Sequence, residues 1–335
     1  MTRPGEIEFQ DVPIPQIGEN EVLIKIMRIG ICGSDIHVYH GEHPFTKYPV
    51  TQGHEVSGEI MKIGAQVHGL RAGQRVTVEP QVVCGKCHPC RNGKYNLCEK
   101  LRVMGFQTTG TASHFFAVDQ KRVTPLPDDM SFDEGAVVEP LAVAVHAVRQ
   151  MGAVEGLNVA VLGAGPIGNL VAQVAKGLGA ASVLITDVSD FRLQKARACG
   201  IAHTVNTREQ DFTKAMVEAF GPDKADVIYD CAGNDVTMGQ AIAGARKGST
   251  IVLVAVFAGK ANIDLAVLND HELTLKSSMM YRHEDYEGAI ALIQAGCVKL
   301  RPLITKHFAF REYGDAYRFI DQNREMTMKV LIDVN

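Results

Sequence analysis

Residues 158–178 read NVAVLGAGPIGNLVAQVAKGL, and this stretch decides the fold of the chain's middle. Val159-Ala-Val-Leu162 is a short, wholly apolar run, as in a strand covered on both faces. From Ile167 to Leu178 small and apolar residues predict a helix. Between them lies Gly163-Ala-Gly165-Pro166-Ile167-Gly168, a G-x-G-x-x-G at a strand-to-helix turn. Glycines mark many turns, so an isolated copy would say little. Here the first two permit a tight turn and close approach of a pyrophosphate to the helix N-terminus. The third lets helix pack on strand. Asp187 ends the next strand, where a carboxylate would accept hydrogen bonds from the adenosine ribose hydroxyls and repel a 2′-phosphate. NAD is therefore expected rather than NADP. Arg192 would stack on adenine or, less in keeping with Asp187, hold a phosphate. The plain alternative for Asp187 is a loop-facing helix cap.

Working outward, β and α runs alternate: strand Val183–Thr186, helix Phe191–Cys199, strand Asp226–Tyr229, helix Val236–Ala245, strand Ser249–Val254. This predicts a parallel, doubly wound sheet. Upstream, from Glu21 to about Val123, short β-branched runs (Val22–Ile26, Val56–Ile60, Arg75–Val78) are broken by Gly and Pro, the texture of an all-β domain. A joining helix is expected to start at Pro140, since proline suits the first helical position. After Ser278 the alternation fails, and the tail is expected to return to the first domain. The expected division is 1–145 with a lobe at 84–98, then 146–278, then 279–335.

The 335 residues exceed one ordinary core and suit two domains. A net charge of -4 gives no reason to expect nucleic acid or a membrane as partner. MTRPGEIEFQ lacks the apolar core of a secretory signal, and no apolar run approaches a membrane span of about 20 residues. Scattered cysteines (Cys32, Cys199, Cys231, Cys297) read as free thiols of a reducing compartment. A soluble, cytoplasmic protein is expected.

Cys84, Cys87, Cys90 and Cys98 could wrap one tetrahedral zinc as a closed structural site. A disulfide knot or redox pair fits less well, because Cys-X-X-Cys redox pairs do not come in fours. A zinc-ribbon nucleic-acid binder built on this lobe fails on charge, since Lys86, Arg91 and Lys94 are too few to track phosphates. Elsewhere, Cys32, His54-Glu55 and Glu139 each have a bland account as buried thiol, core histidine and helix-start carboxylate. Together they form the mixed thiolate, imidazole and carboxylate set of an open catalytic zinc.

GICGSDIH (30–37), GHE (53–55), the four-cysteine lobe, VEPLAVAVH (138–146) and GAGPIG (163–168) together resemble the zinc-dependent medium-chain dehydrogenases, the alcohol and polyol dehydrogenase family. The resemblance spans nearly the whole chain, with the sorbitol dehydrogenase branch nearest. It implies a GroES-like, mostly β catalytic domain assembled from both chain ends, with a Rossmann domain inserted. It implies two zincs per chain and NAD, with hydride passing from a secondary alcohol to C4 of NAD⁺ across the domain cleft. It places the catalytic zinc on Cys32, His54 and a carboxylate, either Glu55 or Glu139, directly or through water. Ser34 and His37 resemble the hydroxyl-to-histidine proton relay, and Asp35 would fix the tautomer of His54. Val254 and Met280 join Gly163, Gly165, Pro166, Ile167, Gly168, Asp187 and Arg192 as expected cofactor contacts. A homodimer or homotetramer is implied.

For the substrate, Arg282 matches an arginine that reaches substrate in the polyol branch. Val38 and His283 stand where that branch often has tyrosines. The stretch His43–Pro49 looks more like members that oxidise sugar acids such as L-gulonate or L-galactonate, with Lys47 and Arg282 meeting a carboxylate. Lys47 reads equally well as a solvated surface charge. A polyol or sugar acid is the expected substrate, the alternatives being L-threonine, butanediol or a sugar phosphate. A non-catalytic nucleotide-binding relative is the competing class, but all the catalytic ligands are present. Family members usually open with a strand before the Arg3-Pro-Gly turn, so the expectation here is either a shortened edge strand or a start placed late.

Overall fold

The computed structural model describes residues 1–257 and 259–334. They divide into two compact units, Met1–Glu139 with Ile304–Asn335, and Pro140–Leu303.

The first unit contains β1 (Glu21–Ile31), α1 (Gly33–His40), β2 (Glu55–Ile63), β3 (Arg75–Val78), β4 (Gln81–Val82), α2 (His88–Arg91), β5 (Arg102–Val103), β6 (Phe115–Asp119) and β7 (Val123–Pro125). Helix α3 (Phe132–Arg149) leaves it, and β14 (Ile304–Ala309), α10 (Tyr313–Gln322) and β15 (Lys329–Asp333) come back to it. Its main sheet runs β14-β15-β1-β2-β3-β7, with β6 also on β1. β1 is the hub: it pairs antiparallel with β15, β2 and β6. Val22, Ile24, Ile26 and Ile29 on it are fully buried and join Val56, Ile60, Val330 and Ile332 in one core. Residues 1–20 form an isolated bridge, Arg3 with Glu6, and no strand. Met1 nonetheless exchanges backbone hydrogen bonds with Val50, each 2.9 Å long.

The second unit runs β8 (Asn158–Leu162), α4 (Pro166–Gly177), β9 (Ser182–Asp187), α5 (Asp190–Ala198), β10 (His203–Asn206), α6 (Phe212–Phe220), β11 (Val227–Asp230), α7 (Asp235–Gly244), β12 (Thr250–Leu253), α8 (Leu265–Asp270), β13 (Thr274–Ser277) and α9 (His283–Gln294). All six strands are parallel, in the order β10-β9-β8-β11-β12-β13. Direction of travel reverses between β8 and β11. Ligands of such sheets bind at that switch point, outside the carboxyl ends of the strands.

Three expectations are corrected. First, α3 begins at Phe132, and Pro140 lies inside it. Ser131 and Glu134 form a reciprocal cap at its start: the Ser131 N–H and hydroxyl reach Glu134 Oε2 at 2.9 and 2.7 Å, and Ser131 Oγ accepts the Glu134 N–H. An interior proline costs about 3 kcal/mol. Burial of Ala136, Val137, Val138, Leu141, Ala142 and Ala144 on both sides of it offsets that cost. Second, the unit boundaries fall at 139/140 and 303/304, not 145/146 and 278/279. Residues 279–303 stay in the second unit because α9 and the segment after it pack on α4 and α5. Gln173 Oε1 accepts the Lys299 N–H at 2.7 Å, and Cys199 Sγ donates to the Lys299 carbonyl. A Cβ on Gly177 would press on Cys297 and Leu292. Third, the sheet has an additional strand and helix, β10 and α6, between α5 and β11. Among the described residues, no helix is long and apolar enough to cross a membrane.

Candidate active site

Cys32, His54 and Glu55 offer ligand atoms that all lie within 4.8 Å of one another. Local structure explains each placement. Cys32 is the N-cap of α1, and its N–H donates to Asp35 Oδ2 at 2.9 Å, so the first turn folds the carboxylate back beneath it. The other oxygen of Asp35 stands 3.4 Å from His54 Nδ1, both groups being buried. Glu55 opens β2 opposite Gly30 of β1. A Cβ at Gly30 would sit 2.1 Å from Glu55 Oε2, so glycine makes the room in which that carboxylate lies.

Lys329, the first residue of β15, was not foreseen. Its Nζ donates to both Glu55 oxygens, at 2.6 and 2.7 Å, and to the Ile31 carbonyl at 3.3 Å, with only 4% of the residue exposed. Burial alone would lower the Lys329 pKa, but the charges of Glu55, Cys32 and Glu139 outweigh it and raise it. His54 behaves alike: burial lowers its pKa, and Asp35 with Cys32 overrides that and lifts it well above the usual imidazole value. Thiolate, imidazole and carboxylate donors within 4.8 Å of one another are the mixed donor set of an open zinc site, so the residues present fit zinc. Glu139 is buried but stands outside the three-residue ligand group.

In the lobe, the four thiols lie within 4.8 Å of one another. The Cys87–Cys90 and Cys87–Cys98 sulfurs are 3.3 and 3.9 Å apart, far beyond a disulfide bond, and every described cysteine is a free thiol. Tetrahedral Zn–S bonds of about 2.3 Å require sulfurs about 3.8 Å apart. Backbone N–H groups of Lys86 and Cys87 bring Cys84 down to about 6, whereas burial and neighbouring thiols push Cys90 up to about 12.

In the second unit, Gly163 takes φ +95°, and its N–H donates to the Thr186 carbonyl at 2.8 Å. Gly165 caps α4 and Pro166 starts it. A Cβ on Gly168 would fall 1.8 Å from the Gly163 carbonyl oxygen, so no other residue fits. Asp187 Oδ2 accepts the Ala164 N–H at 2.7 Å, and Oδ1 accepts that of Ser189 at 2.9 Å. The cap of α5 is Ser189, whose side chain accepts the Arg192 N–H, so Asp187 itself caps no helix. Each oxygen keeps a second lone pair for a ribose hydroxyl. Arg192 Nη1 lies 3.8 Å from Asp187 Oδ2.

Residues 18–128 match the alcohol dehydrogenase GroES-like domain, and residues 166–295 match the zinc-binding dehydrogenase family. The sorbitol dehydrogenase of Bacillus subtilis is 32% identical, with 100% of this chain and 96% of the relative covered. The D-xylulose reductase of Saccharomyces cerevisiae is 34% identical over 99% of this chain and 96% of its own. Among solved structures, galactitol-1-phosphate dehydrogenase of Escherichia coli superposes with a TM-score of 0.91 at 31% identity, covering 99% of this chain and 98% of that one.

The chain belongs to the zinc-dependent medium-chain polyol dehydrogenases. It is an NAD-dependent oxidoreductase with zinc and NAD as cofactors, and the non-catalytic alternative is set aside.

The remaining expected residues of this dehydrogenase fall as follows. Ser34 and His37 are one turn apart on α1. His37 is 63% exposed at its side chain, with Nδ1 3.1 Å from Glu42 Oε2. Val38 is fully buried in a small cluster with Val50 and Phe106, so it presents nothing to a ligand. Phe106 went unnoticed in the sequence; its ring lies 4.9 Å from that of His54, and His43 stacks on it at 4.8 Å and 9°. Lys47 is exposed. Val254 follows β12 and donates to the Asp230 carbonyl at 2.9 Å. Met280 adopts φ +53°, Arg282 caps α9 with Nη2 2.9 Å from Glu284 Oε1, and His283 Nε2 lies 3.8 Å from Glu287.

Proposed function

We propose that this dehydrogenase oxidises a secondary hydroxyl of an open-chain polyol or sugar acid, with Cys32, His54 and Glu55 holding the catalytic zinc. Glu139 serves the same site from α3, and Cys84, Cys87, Cys90 and Cys98 hold the structural zinc. The observation that carries this reading is the convergence of a half-buried Cys32 on the buried His54 and Glu55. Bound there, zinc would supply a Lewis acid that lowers the pKa of a hydroxyl toward about 7, and NAD⁺ would supply the hydride acceptor.

The chain's own residues do the rest. Asp35 orients His54, and Lys329 holds Glu55 and offsets its charge. The Ser34 hydroxyl accepts the alcohol proton as it gives up its own, and His37 beside Glu42 passes that proton on to solvent. Gly163, Gly165, Pro166, Ile167 and Gly168 cradle the pyrophosphate, Asp187 takes the ribose hydroxyls, and Arg192 stacks on adenine. Val254 and Met280 line the nicotinamide end.

Support for the substrate class comes from relatives named for sorbitol, D-xylulose and galactitol 1-phosphate. Arg282 favours the sugar-acid version, since a charge-assisted pair is worth about 1.5–3 kcal/mol. A substrate carboxylate must share the guanidinium with Glu284. The test is a screen of polyols, hexonates, sugar phosphates and amino alcohols with NAD⁺, read by absorbance of the reduced cofactor. No reduction with any secondary alcohol would overturn the function. A hexonate no better than its hexitol would overturn the sugar-acid preference alone.

We also infer a homodimer or homotetramer, supported by β13, an edge strand of the parallel sheet with Thr274, Lys276 and Ser277 exposed. Light scattering of the eluting protein decides it. The free thiols support the cytoplasm as its compartment.

A further inference from the structure

Asp285 sits in the first turn of α9, three residues beyond Arg282, and is 0% exposed. Its Oδ2 accepts the Arg282 backbone N–H at 2.9 Å and His146 Nδ1–H at 2.8 Å. Its Oδ1 accepts Arg149 Nη1–H at 2.6 Å, and the same nitrogen reaches the Glu284 carbonyl at 2.9 Å. His146 and Arg149 are one turn apart on α3, so one helix face supplies both partners. The Gln150 amide stands 3.1 Å from His146 Nε2. Donating there, it leaves the ring proton on Nδ1, facing Asp285.

A wholly buried carboxylate is costly, and well-packed apolar residues hold helices together as well or better. What the carboxylate adds is geometry at one point of the backbone. The segment before it is constrained throughout. Met280 adopts the left-handed φ of +53°, a conformation that costs a non-glycine residue energy and tends to cluster at functional sites. Tyr281 and Tyr286 are fully buried, edge to face, with ring centroids 5.2 Å apart. Arg282 lies between these anchors in extended conformation, its N–H held by Asp285.

We propose that Asp285, supported by His146 and Arg149, is the positioning residue for Arg282. It fixes where the arginine leaves the backbone, so that the guanidinium meets the substrate without first being ordered. This rests on the reading that Arg282 reaches the substrate.

The test uses zinc-loaded enzyme with NAD⁺ and either sorbitol or L-gulonate as probe. Asp285→Asn should lower kcat/KM for the better probe by about tenfold to a hundredfold, the usual cost of a small misplacement. In an Arg282→Ala background the same change should cost less than about threefold, because a residue acting through another loses its effect once that other is gone. Arg149→Ala, at a side chain 42% exposed, perturbs the network without emptying the buried site. It should show a smaller loss that also disappears in Arg282→Ala, and it carries the test if Asp285→Asn does not fold. If Arg282→Ala is costly but both changes cost the same factor in either background, the positioning role is overturned while the substrate role of Arg282 stands. If Arg282→Ala alone leaves kcat/KM intact with both probes, the substrate role falls and the proposal falls with it.

Discussion

The lobe cysteines come from one loop, residues 84–98, whereas Cys32, His54 and Glu55 are assembled by β1, α1 and β2 and completed by Lys329, 274 residues beyond Glu55. In the lobe, backbone N–H groups of this loop, and of Lys100 two residues past it, turn toward the sulfurs: Cys87 donates to Cys84, Cys84 to Cys98, and Lys100 to Cys98. The loop carries its own electrostatics. The other cluster borrows its from elsewhere, through Asp35 for the imidazole and Lys329 for the carboxylate. A closed, local clip stabilises one loop. An open, non-local set depends on the whole sheet and leaves a position for chemistry.

The sharpest way to break this contrast is to remove one thiolate from each. Cys32→Ser should lower kcat by about a thousandfold or more, since Lewis-acid assistance of several kcal/mol corresponds to a tenfold loss per about 1.4 kcal/mol. Cys84→Ser should instead release one zinc and lower the melting temperature, with kcat per remaining zinc nearly intact. Steady-state kinetics beside elemental analysis distinguish them, and equal losses of kcat would end the division of roles.

Next in size is Lys329→Met. Removing one partner of a buried ion pair leaves an uncompensated charge, worth about 3–5 kcal/mol. Denaturant titrations should show that loss in zinc-free protein and a smaller one in loaded protein, where a cation again faces Glu55. A smaller effect comes from Asp187→Ser. Native enzyme should favour NAD⁺ over NADP⁺ in kcat/KM by at least about tenfold, or about 1.4 kcal/mol, and the variant should narrow that gap. Equal use of both cofactors by native enzyme would remove the ribose role from Asp187. Last, chelation should take one zinc early, together with activity, and the other late. Three protein ligands hold less tightly than four thiolates. Loss of both at one rate would contradict the contrast.

Legibility followed the same division. C-x-x-C-x-x-C, G-x-G-x-x-G and the Asp187 strand end could be read directly, because each works through neighbours close in sequence. Some misses were readable. The Ser131–Glu134 cap announces the true start of α3, and Asp211, whose side chain accepts the Lys214 N–H, announces α6. β10 is harder, since His203-Thr-Val-Asn206 is a half-buried edge strand without an apolar run. The retention of 279–303 in the second unit depends on Asp285, Lys299 and Cys297 meeting α3 and α4, which no local pattern encodes.

By itself, then, the sequence determined the four-cysteine set, the glycine turn and the parallel sheet, because ligand spacing, glycine geometry and strand–helix periodicity act over a few residues. Tertiary structure alone decided that Glu55, rather than Glu139, stands with Cys32 and His54. It also placed Lys329 against that carboxylate and Asp285 beneath Arg282. Such placements arise when the sheet brings β15 beside β1, or when two distant helices share one buried charge, and a desolvated charge must find its partner wherever the fold puts it.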